Sequence, residues 1–173
     1  MLIREYSYLF KLKYIINRCG VISGEGQYGK QDQGFVSLWL WRHLNKIPLK
    51  YQGYGGLGNQ VRDVLDIEDL CELIKEQMLK IYKINNQTFN VGGGPKNSLS
   101  LRELTSYSEN ITKNYLNIKK SINTSNYDIR YYVTNNKKIY SRYKWRVKKK
   151  IKDIIKETFI ALKNNKKQLL KIL

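Results

Sequence analysis

An arginine and an aspartate stand side by side in the segment GLGNQVRDVLDIEDL, residues 56–70. Arg62 lies at the start of a strand-like run, beside the glycine-rich stretch GYGGLG. Its planar guanidinium can donate parallel hydrogen bonds to a phosphate, and Asp63 can hold either that fork or the neighbouring backbone. The pair therefore predicts a diphosphate site. The alternative is an internal ion pair between Arg62 and Asp63 that anchors the strand.

Three glycines form a second pattern that could do chemistry. Gly24, Gly26 and Gly29 satisfy G-x-G-x-x-G after a predicted strand, the spacing that lets backbone approach a pyrophosphate. A dinucleotide site of this kind also needs an acidic residue about 20 positions later to hold the ribose. No Asp or Glu occurs between Asp32 and Asp63. A flexible loop is therefore the better interpretation.

Two tyrosine-lysine pairs have the spacing of a catalytic pair on one helix face. Tyr115 with Lys119, and Tyr140 with Lys144, would each place an ammonium beside a phenol and lower its pKa. In a chain with 14 tyrosines and many lysines, such spacings arise by chance. We therefore predict no catalytic residue in this chain.

Metal and membrane sites are not predicted either. Cys19 and Cys71 are too far apart for a C-x-x-C site, and His43 is the only histidine. The first ten residues, MLIREYSYLF, carry charges and lack a cleavage site, and no apolar stretch approaches the ~18 residues of a membrane span. The sequence predicts a reduced, cytoplasmic protein.

Strand-like and helical segments alternate along the chain, which predicts an α/β protein with parallel strands. KYIINRCGVIS is a candidate buried strand, and QGFVSLWLWRHL is apolar at helical spacing. Further strands are predicted in PLKYQGY, NQVRDVLDI and TFNVGGG, and the polar segment NIKKSINTSN is predicted to be a loop. Trp39 and Trp41 are expected to pack inside the domain.

Three helices have clear signals for their starts or their buried faces. Asp66 is placed to cap a helix, and Ser100 with Glu103 forms a capping box for the next one. The first helix is predicted to bury Ile67, Leu70, Cys71, Ile74 and Met78, the second Leu104, Tyr107 and Ile111, and a C-terminal helix Ile151, Ile154, Ile155, Phe159 and Leu162.

Charge is distributed unevenly. The net charge is +18; residues 1–100 carry 13 Lys and Arg against 9 Asp and Glu, a net +4, which leaves +14 in residues 101–173. The abundance of Lys, Asn, Ile and Tyr is typical of a genome poor in G and C, so we interpret the lysines as a solvated helix face. The alternative is an anionic partner such as nucleic acid, an acidic glycan or a membrane surface.

Four segments, taken in order, carry a resemblance to a known family. They are the run from EYSYLF to WLWRHL, PLKYQGYGGLGNQVRDVLDIEDL, FNVGGGPKNSLSLREL and YYVTNNKKIYSRYKW. They resemble the C-terminal half of extended short-chain dehydrogenase/reductases, specifically the NAD-dependent epimerase/dehydratases and, among those, the CDP-paratose 2-epimerase type. The most specific parts are GKQDQGF and GGLGNQVRDVLDIEDL.

This resemblance implies an α/β, Rossmann-like fold that carries the smaller substrate-binding subdomain, with residues 1–173 forming part of one epimerase/dehydratase domain. It also implies bound NAD, which removes hydride from a sugar carbon and returns it to the opposite face. The NAD loop and the Tyr-x-x-x-Lys pair of the family lie upstream of the matching region. We therefore expect this chain alone to be inactive, and a separate chain could supply the NAD-binding half.

The resemblance also assigns residues. Positions implied to bind substrate are Gln33, Gly34, Phe35, Val36, Tyr51, Gln52, Arg62 and Asp63. Positions implied to lie beside the nicotinamide are Cys19, Gly20 and Val21. The expected ligand is a nucleotide-diphosphate sugar, with a CDP-sugar favoured over other nucleotides and nucleic acid disfavoured, and the chain is expected to form oligomers.

Overall fold

The structure is a computed structural model that describes residues 2–28 and 34–171. In these ranges, helices alternate with short strands. The helices are α1 (Leu2–Phe10), α2 (Phe35–Leu44), α3 (Ile67–Lys80), α4 (Leu101–Thr112), α5 (Lys137–Arg142), α6 (Ile151–Asn164) and α7 (Lys166–Leu169). The strands are β1 (Ile15–Cys19), β2 (Val21–Ser23), β3 (Lys50–Gln52), β4 (Val61–Asp66), β5 (Gln87–Val91), β6 (Ser98–Ser100), β7 (Lys119–Ser121) and β8 (Tyr131–Tyr132).

Most strand pairs are parallel, which confirms the predicted α/β class. β1 pairs with β5, β2 with β4, β3 with β7, and β8 with β4, all in parallel. The pairing of β4 with β6 is antiparallel. β4 is therefore the central strand of its sheet and pairs with three other strands, β2, β6 and β8.

The segment KYIINRCGVIS was predicted as one buried strand, and this is wrong in two respects. It forms two strands that part at Gly20: Cys19 is in register with Val91 of β5, whereas Val21 is in register with Val64 of β4. The first of them, β1, is only half-buried and ends in exposed residues. Gly20 still donates its N–H to the Val91 carbonyl at 2.9 Å, so the chain passes from one partner strand to the other without losing this bond.

Two apolar clusters form the core. One lies between α2, α4 and α6 and includes Leu40, Leu104 and Ile154, each fully buried. The other joins β4 and β5 to α3 and α5 and includes Phe89 and Leu73. Both tryptophans of α2 belong to the first cluster, which confirms their predicted packing role.

The buried face predicted for α3 is wrong. Leu70 is buried as expected, but Ile67, Cys71, Ile74 and Met78 are exposed, and the helix instead buries Asp69, Leu73 and Gln77. Polar contacts set this rotation. Asp69 accepts backbone N–H groups from Lys148 and Lys149 at 3.1 Å, and Gln77 exchanges two amide hydrogen bonds with Asn17.

The predicted starts of α3 and α4 are confirmed. Asp66 caps α3 by accepting the Glu68 N–H at 2.9 Å, and Ser100 and Glu103 form the complete capping box of α4. The predicted buried faces of α4 and α6 also pack on the core. The NIKKSINTSN loop was predicted without structure, but its residues Lys119–Ser121 form β7 because β3 offers them a parallel partner.

Neither tyrosine-lysine pair lies on one helix. Lys119 belongs to β7, while Tyr115 follows the end of α4. Tyr140 belongs to α5, which ends at Arg142, before Lys144. Neither pair therefore has the geometry in which its ammonium faces its phenol across one helical turn.

The first helix has an apolar surface that the described residues leave uncovered. No residue of α1 is buried, and β1 pairs with β5 alone, so its other edge has no strand partner in the described ranges. We call this surface the N-terminal apolar face; it consists of Leu2, Ile3, Tyr6, Leu9, Phe10 and Leu12, each at least 40% exposed. In the described residues, no helix is long and apolar enough to cross a bilayer.

Candidate functional site

Arg62 and Asp63 point to opposite sides of β4, as neighbouring residues of a strand must. Asp63 is fully buried, whereas the Arg62 side chain is 23% exposed. The guanidinium forms its ion pair with Asp128, not with Asp63. The alternative prediction of an internal Arg62–Asp63 pair is therefore wrong.

Asp63 holds neighbouring backbone from inside the fold. Its carboxylate accepts the Gly94 N–H at 2.8 Å and the Thr134 hydroxyl at 3.2 Å. This ties the glycine turn after β5 to the segment before α5. The same contacts explain why positions 20 and 92 are glycine. A Cβ at Gly20 would lie 2.9 Å from Thr134 Oγ1, and a Cβ at Gly92 would lie 2.3 Å from the same atom.

The Arg62 side chain lies at the outer surface of β4. Its Nη1 donates to the Val61 carbonyl at 2.8 Å and its Nη2 donates to Asp128 Oδ1 at 2.9 Å. Asp128 is itself only 31% exposed, and its carbonyl accepts the Tyr54 hydroxyl. The loop that carries Asp128 is therefore held against the glycine-rich turn that precedes β4.

A cavity of about 590 Å³ has Asp128 in its wall, although Arg62 does not line it; we call it the α2–β3 cavity. Its volume falls in the range of about 300–1,000 Å³ typical of small-ligand sites. Phe35 and Gln52, two of the positions assigned by resemblance, line it together with Asp128. Arg42 and Lys50 also line it, so its wall contains two cationic residues of the kind that bind phosphate.

The other predicted substrate positions that the structure describes do not line this cavity. Val36 is 1% exposed and packs in the core, and Gly34 is the left-handed residue that precedes α2, with φ 70°. Tyr51 stacks on Trp39, with ring centroids 5.9 Å apart, and its hydroxyl contacts Thr105 Oγ1 at 2.7 Å. Gln33, like Gly29 of the glycine pattern, lies outside the described residues.

The predicted nicotinamide positions lie at the junction of β1 and β2. Cys19 is exposed at the end of β1, Gly20 is the crossing residue, and Val21 begins β2. The polar side chains beside Gly20 are Asp63 and Thr134, which already bond each other. At this strand end, the groups that could bind a cofactor are therefore mainly backbone N–H and C=O groups.

Most lining residues of the α2–β3 cavity were not predicted from the sequence, among them Leu38, Arg42 and Asp128. Leu38 and Arg42 follow Phe35 at helical spacing i+3 and i+7, so the periodicity of α2 could have placed them on one face. Asp128 gave no such signal. Its loop is 66 positions beyond Arg62, and only the folded chain brings the two together.

Comparison with known proteins decides the family. The sequence pattern of the NAD dependent epimerase/dehydratase family matches residues 1–92, more than half of the chain. The chain belongs to this family. It is 32% identical over 161 residues to CDP-paratose 2-epimerase from Salmonella typhi, a match that covers 90% of this chain and 46% of that protein.

Solved epimerases have the same fold as this family member. UDP-glucose 4-epimerase from Thermotoga maritima, solved with UDP-glucose, superposes with a TM-score of 0.79 at 20% identity, over 95% of this chain and 50% of that one. UDP-glucuronic acid 4-epimerase from Bacillus cereus, solved with UDP-glucuronic acid and NAD, gives 0.78 at 21% identity, over 94% and 49%. The chain thus spans about half the length of the relatives that it matches.

NAD is the cofactor of the family, and it is bound in the Bacillus cereus structure. In the described residues of this chain, Cys19–Val21 could contact one edge of a dinucleotide. They lack free polar side chains for its ribose and pyrophosphate, because Asp63 and Thr134 are already engaged. These three residues do not by themselves fit a whole NAD, and no catalytic step follows from them.

Proposed function

We propose that this chain is the substrate-binding portion of an NAD-dependent nucleotide-sugar epimerase of the CDP-paratose 2-epimerase type. The observation that carries the proposal is the α2–β3 cavity, which has Phe35, Gln52 and Asp128 in its wall. Arg62 lies behind this wall, as the ion-pair partner of Asp128. The 32% identity to CDP-paratose 2-epimerase favours a CDP-sugar as ligand. UDP-glucose, the ligand of the Thermotoga maritima structure, is the alternative nucleotide sugar.

In this proposal, Arg62 binds the diphosphate of the nucleotide sugar. Its Nη1 donates to a backbone carbonyl and its Nη2 donates to Asp128. A bound diphosphate would replace Asp128 as the acceptor for Nη2. A guanidinium can make two charge-assisted hydrogen bonds to such a ligand. Phe35 would contact the nucleoside, Gln52 would hydrogen-bond it, and Asp63 would hold the strand that carries Arg62.

The NAD-binding half is proposed to come from another polypeptide segment, which could be a separate chain. The N-terminal apolar face and the unpaired edge of β1 support this, because a sheet edge and an apolar helix are stabilised by a neighbour that covers them. Cys19, Gly20 and Val21 would then lie at the boundary with that half, beside the nicotinamide. Without such a partner, self-association would cover the same surface, and we expect oligomers in the cytoplasm.

Binding measurements on the purified chain test this division of roles. We expect CDP-glucose to bind saturably in a calorimetric titration, UDP-glucose to bind more weakly, and NAD to show neither binding nor an absorbance signature after purification. Epimerase activity should be absent, because no catalytic residue is predicted in this chain. A chain that retains NAD and turns over a nucleotide sugar alone would contradict the proposal, and so would the absence of any nucleotide-sugar binding.

A further inference from the structure

A second cavity, of about 700 Å³, lies beyond the end of β5 and shares no lining residue with the α2–β3 cavity. Three chain segments enclose it: residues 93–97, 133–137 and 146–150, with Tyr140 of α5 between them. We call it the basic cavity. Its volume is suitable for a small ligand rather than for a single ion or water.

The charge of the basic cavity is entirely of one sign. Its lining includes six cations and no Asp or Glu: Lys96, Lys137, Arg146, Lys148, Lys149 and Lys150. Two of them are neutralised from outside, since Lys148 pairs with Glu72 at 2.5 Å and Lys149 with Glu157 at 2.6 Å. Within the described ranges, the other four form no ion pair, and all four are exposed. About four positive charges therefore surround one concave space, which favours an anionic ligand.

The walls of the basic cavity are held in place by buried hydrogen bonds. Asn97 donates to the Lys149 carbonyl at 2.7 Å and accepts the Ile151 N–H at 3.0 Å. On the opposite wall, Asn136 bonds both backbone groups of Gly92, at 2.8 and 3.1 Å. Because both asparagines are at least 95% buried, the cavity is formed before any ligand arrives, which lowers the entropic cost of binding.

One wall also has a planar surface. The Arg146 guanidinium lies 4.6 Å from the centroid of the Tyr140 ring, and Pro95, Val133 and Val147 add apolar surface around them. Arg146 Nη1 donates to the Tyr143 and Trp145 carbonyls at 3.0 and 2.7 Å, so Nη2 and Nε are the donors left for an anion. The Arg–Tyr pair also presents a flat face for a ring. The cavity thus combines the two features that distinguish a nucleotide from a simple anion.

We propose that the basic cavity binds a phosphorylated small molecule with a planar ring, of the nucleotide class, as a site separate from the substrate site. Lys96, Lys137 and Lys150 contact the phosphates, and Arg146 joins phosphate to ring beside Tyr140. The ligand neutralises charges that otherwise repel one another across the cavity.

The test is a titration of the full chain with ADP, at about 0.15 M salt so that scattered surface charges are largely screened. The test variant is Lys96→Gln/Lys137→Gln, since both side chains are exposed and neither forms an ion pair among the described residues. The matched control, Lys163→Gln/Lys167→Gln, removes the same charge from exposed positions on α6 and α7. Thermal melts show that each variant folds.

We expect one ADP per chain, weakened about 10-fold or more in Lys96→Gln/Lys137→Gln and by less than about 2-fold in the control, since each lost charge-assisted bond is worth about 1.5–3 kcal/mol. Pyrophosphate should bind less tightly than ADP because it lacks the ring. ADP binding should persist in Arg62→Ala, which removes the proposed diphosphate contact of the substrate site, and this result separates the basic cavity from the substrate site. Equal losses in the two double variants, or no saturable ADP binding, would overturn the proposal.

Discussion

Arg62 Nη2 lies 2.9 Å from Asp128 Oδ1, across a sequence separation of 66 residues. The arginine comes from the central strand β4 and the aspartate from the loop before β8. Their ion pair occupies the group that the proposed substrate would use, and its carboxylate lies in the wall of the α2–β3 cavity. Under the proposed function, Asp128 would compete with the diphosphate for this guanidinium.

Substitution of Arg62 and of Asp128 should have opposite effects on substrate affinity. Arg62→Ala should weaken CDP-glucose binding by roughly 10-fold to 150-fold, the loss of about 1.5–3 kcal/mol from a charge-assisted hydrogen bond. Asp128→Asn should leave affinity unchanged or raise it, because the guanidinium loses its competitor. Arg62→Lys should restore only part of the binding, since a point charge cannot form the bidentate fork.

Calorimetry and thermal melts on the same variants separate binding from stability. A half-exposed ion pair contributes about 0–1 kcal/mol, so both variants should melt close to the parent chain. If Arg62 only anchors the strand, Arg62→Ala and Asp128→Asn should lower the melting temperature alike. Unchanged CDP-glucose affinity in Arg62→Ala would then defeat the diphosphate assignment.

Removing the Asp63 carboxylate should destabilise the fold strongly. Asp63→Ala leaves the Gly94 N–H and the Thr134 hydroxyl without their buried acceptor, which costs about 1–3 kcal/mol for each unsatisfied group. Asp63→Asn is the matched control, because its amide can still accept from Gly94 and can donate to Thr134. Urea unfolding measures the free energy of unfolding of both variants. Similar values for the two would show that the carboxylate does not hold the turn.

The single histidine should make stability depend on pH. His43 is fully buried and contacts the Trp39 carbonyl through Nδ1 at 2.8 Å. Burial lowers its pKa, and the hydrogen bond to Trp39 and the charge of Glu109 oppose this without reversing it. The unfolded chain, with a histidine pKa of about 6.5, then binds a proton more readily than the folded chain.

Stability from neutral His43 should therefore be fully present above pH of about 6.5 and fall as the pH drops below that value. The free energy of unfolding, measured by urea titration at several pH values, should decrease in this window. His43→Gln, which cannot titrate, should flatten the decrease. An equal slope in the parent and the variant would assign the pH dependence to other groups.

The capping box of α4 should be detectable through its carboxylate. The Ser100 backbone N–H and hydroxyl both donate to Glu103 at 2.7 Å and hold its pKa below the ordinary range. Its contribution is present above the unfolded pKa of about 4.3 and is lost as the pH falls through the lower folded value. Ser100→Ala should cost about 1 kcal/mol at neutral pH. Urea unfolding at neutral and acid pH should show a smaller difference in acid.

The N-terminal apolar face should cause self-association in the purified chain. Tyr6 and Phe10 pack against each other, with ring centroids 5.6 Å apart, yet both remain more than half exposed. Replacing Leu9 and Phe10 with Ser should shift the mass measured by light scattering toward the monomer. The control is Tyr127→Ser, because Tyr127 is exposed but does not belong to the N-terminal apolar face. A parent chain that is a monodisperse monomer with a sharp melt would contradict an uncovered face.

The sequence alone determined the features whose causes are local. Asp66 and Ser100 cap their helices because a side-chain oxygen only needs N–H groups two or three positions away. The buried face of α6 follows from residues spaced along one helix, and the α/β class follows from alternation of such signals. The family resemblance also follows from the sequence alone, because it depends only on the order of residues in four segments.

Contacts between distant segments decided the rest. α3 presents a different face from the predicted one because Asp69 bonds the backbone near Lys148, about 80 positions later. The strand is divided at Gly20 because the residues before it pair with β5 and the residues after it pair with β4. Arg62 forms its ion pair with Asp128 rather than with its neighbour Asp63. Local periodicity records which residues are apolar, but it does not record which distant polar group will meet a given side chain. These contacts between distant residues set the rotation of α3, the register of the strands and the geometry of the candidate site.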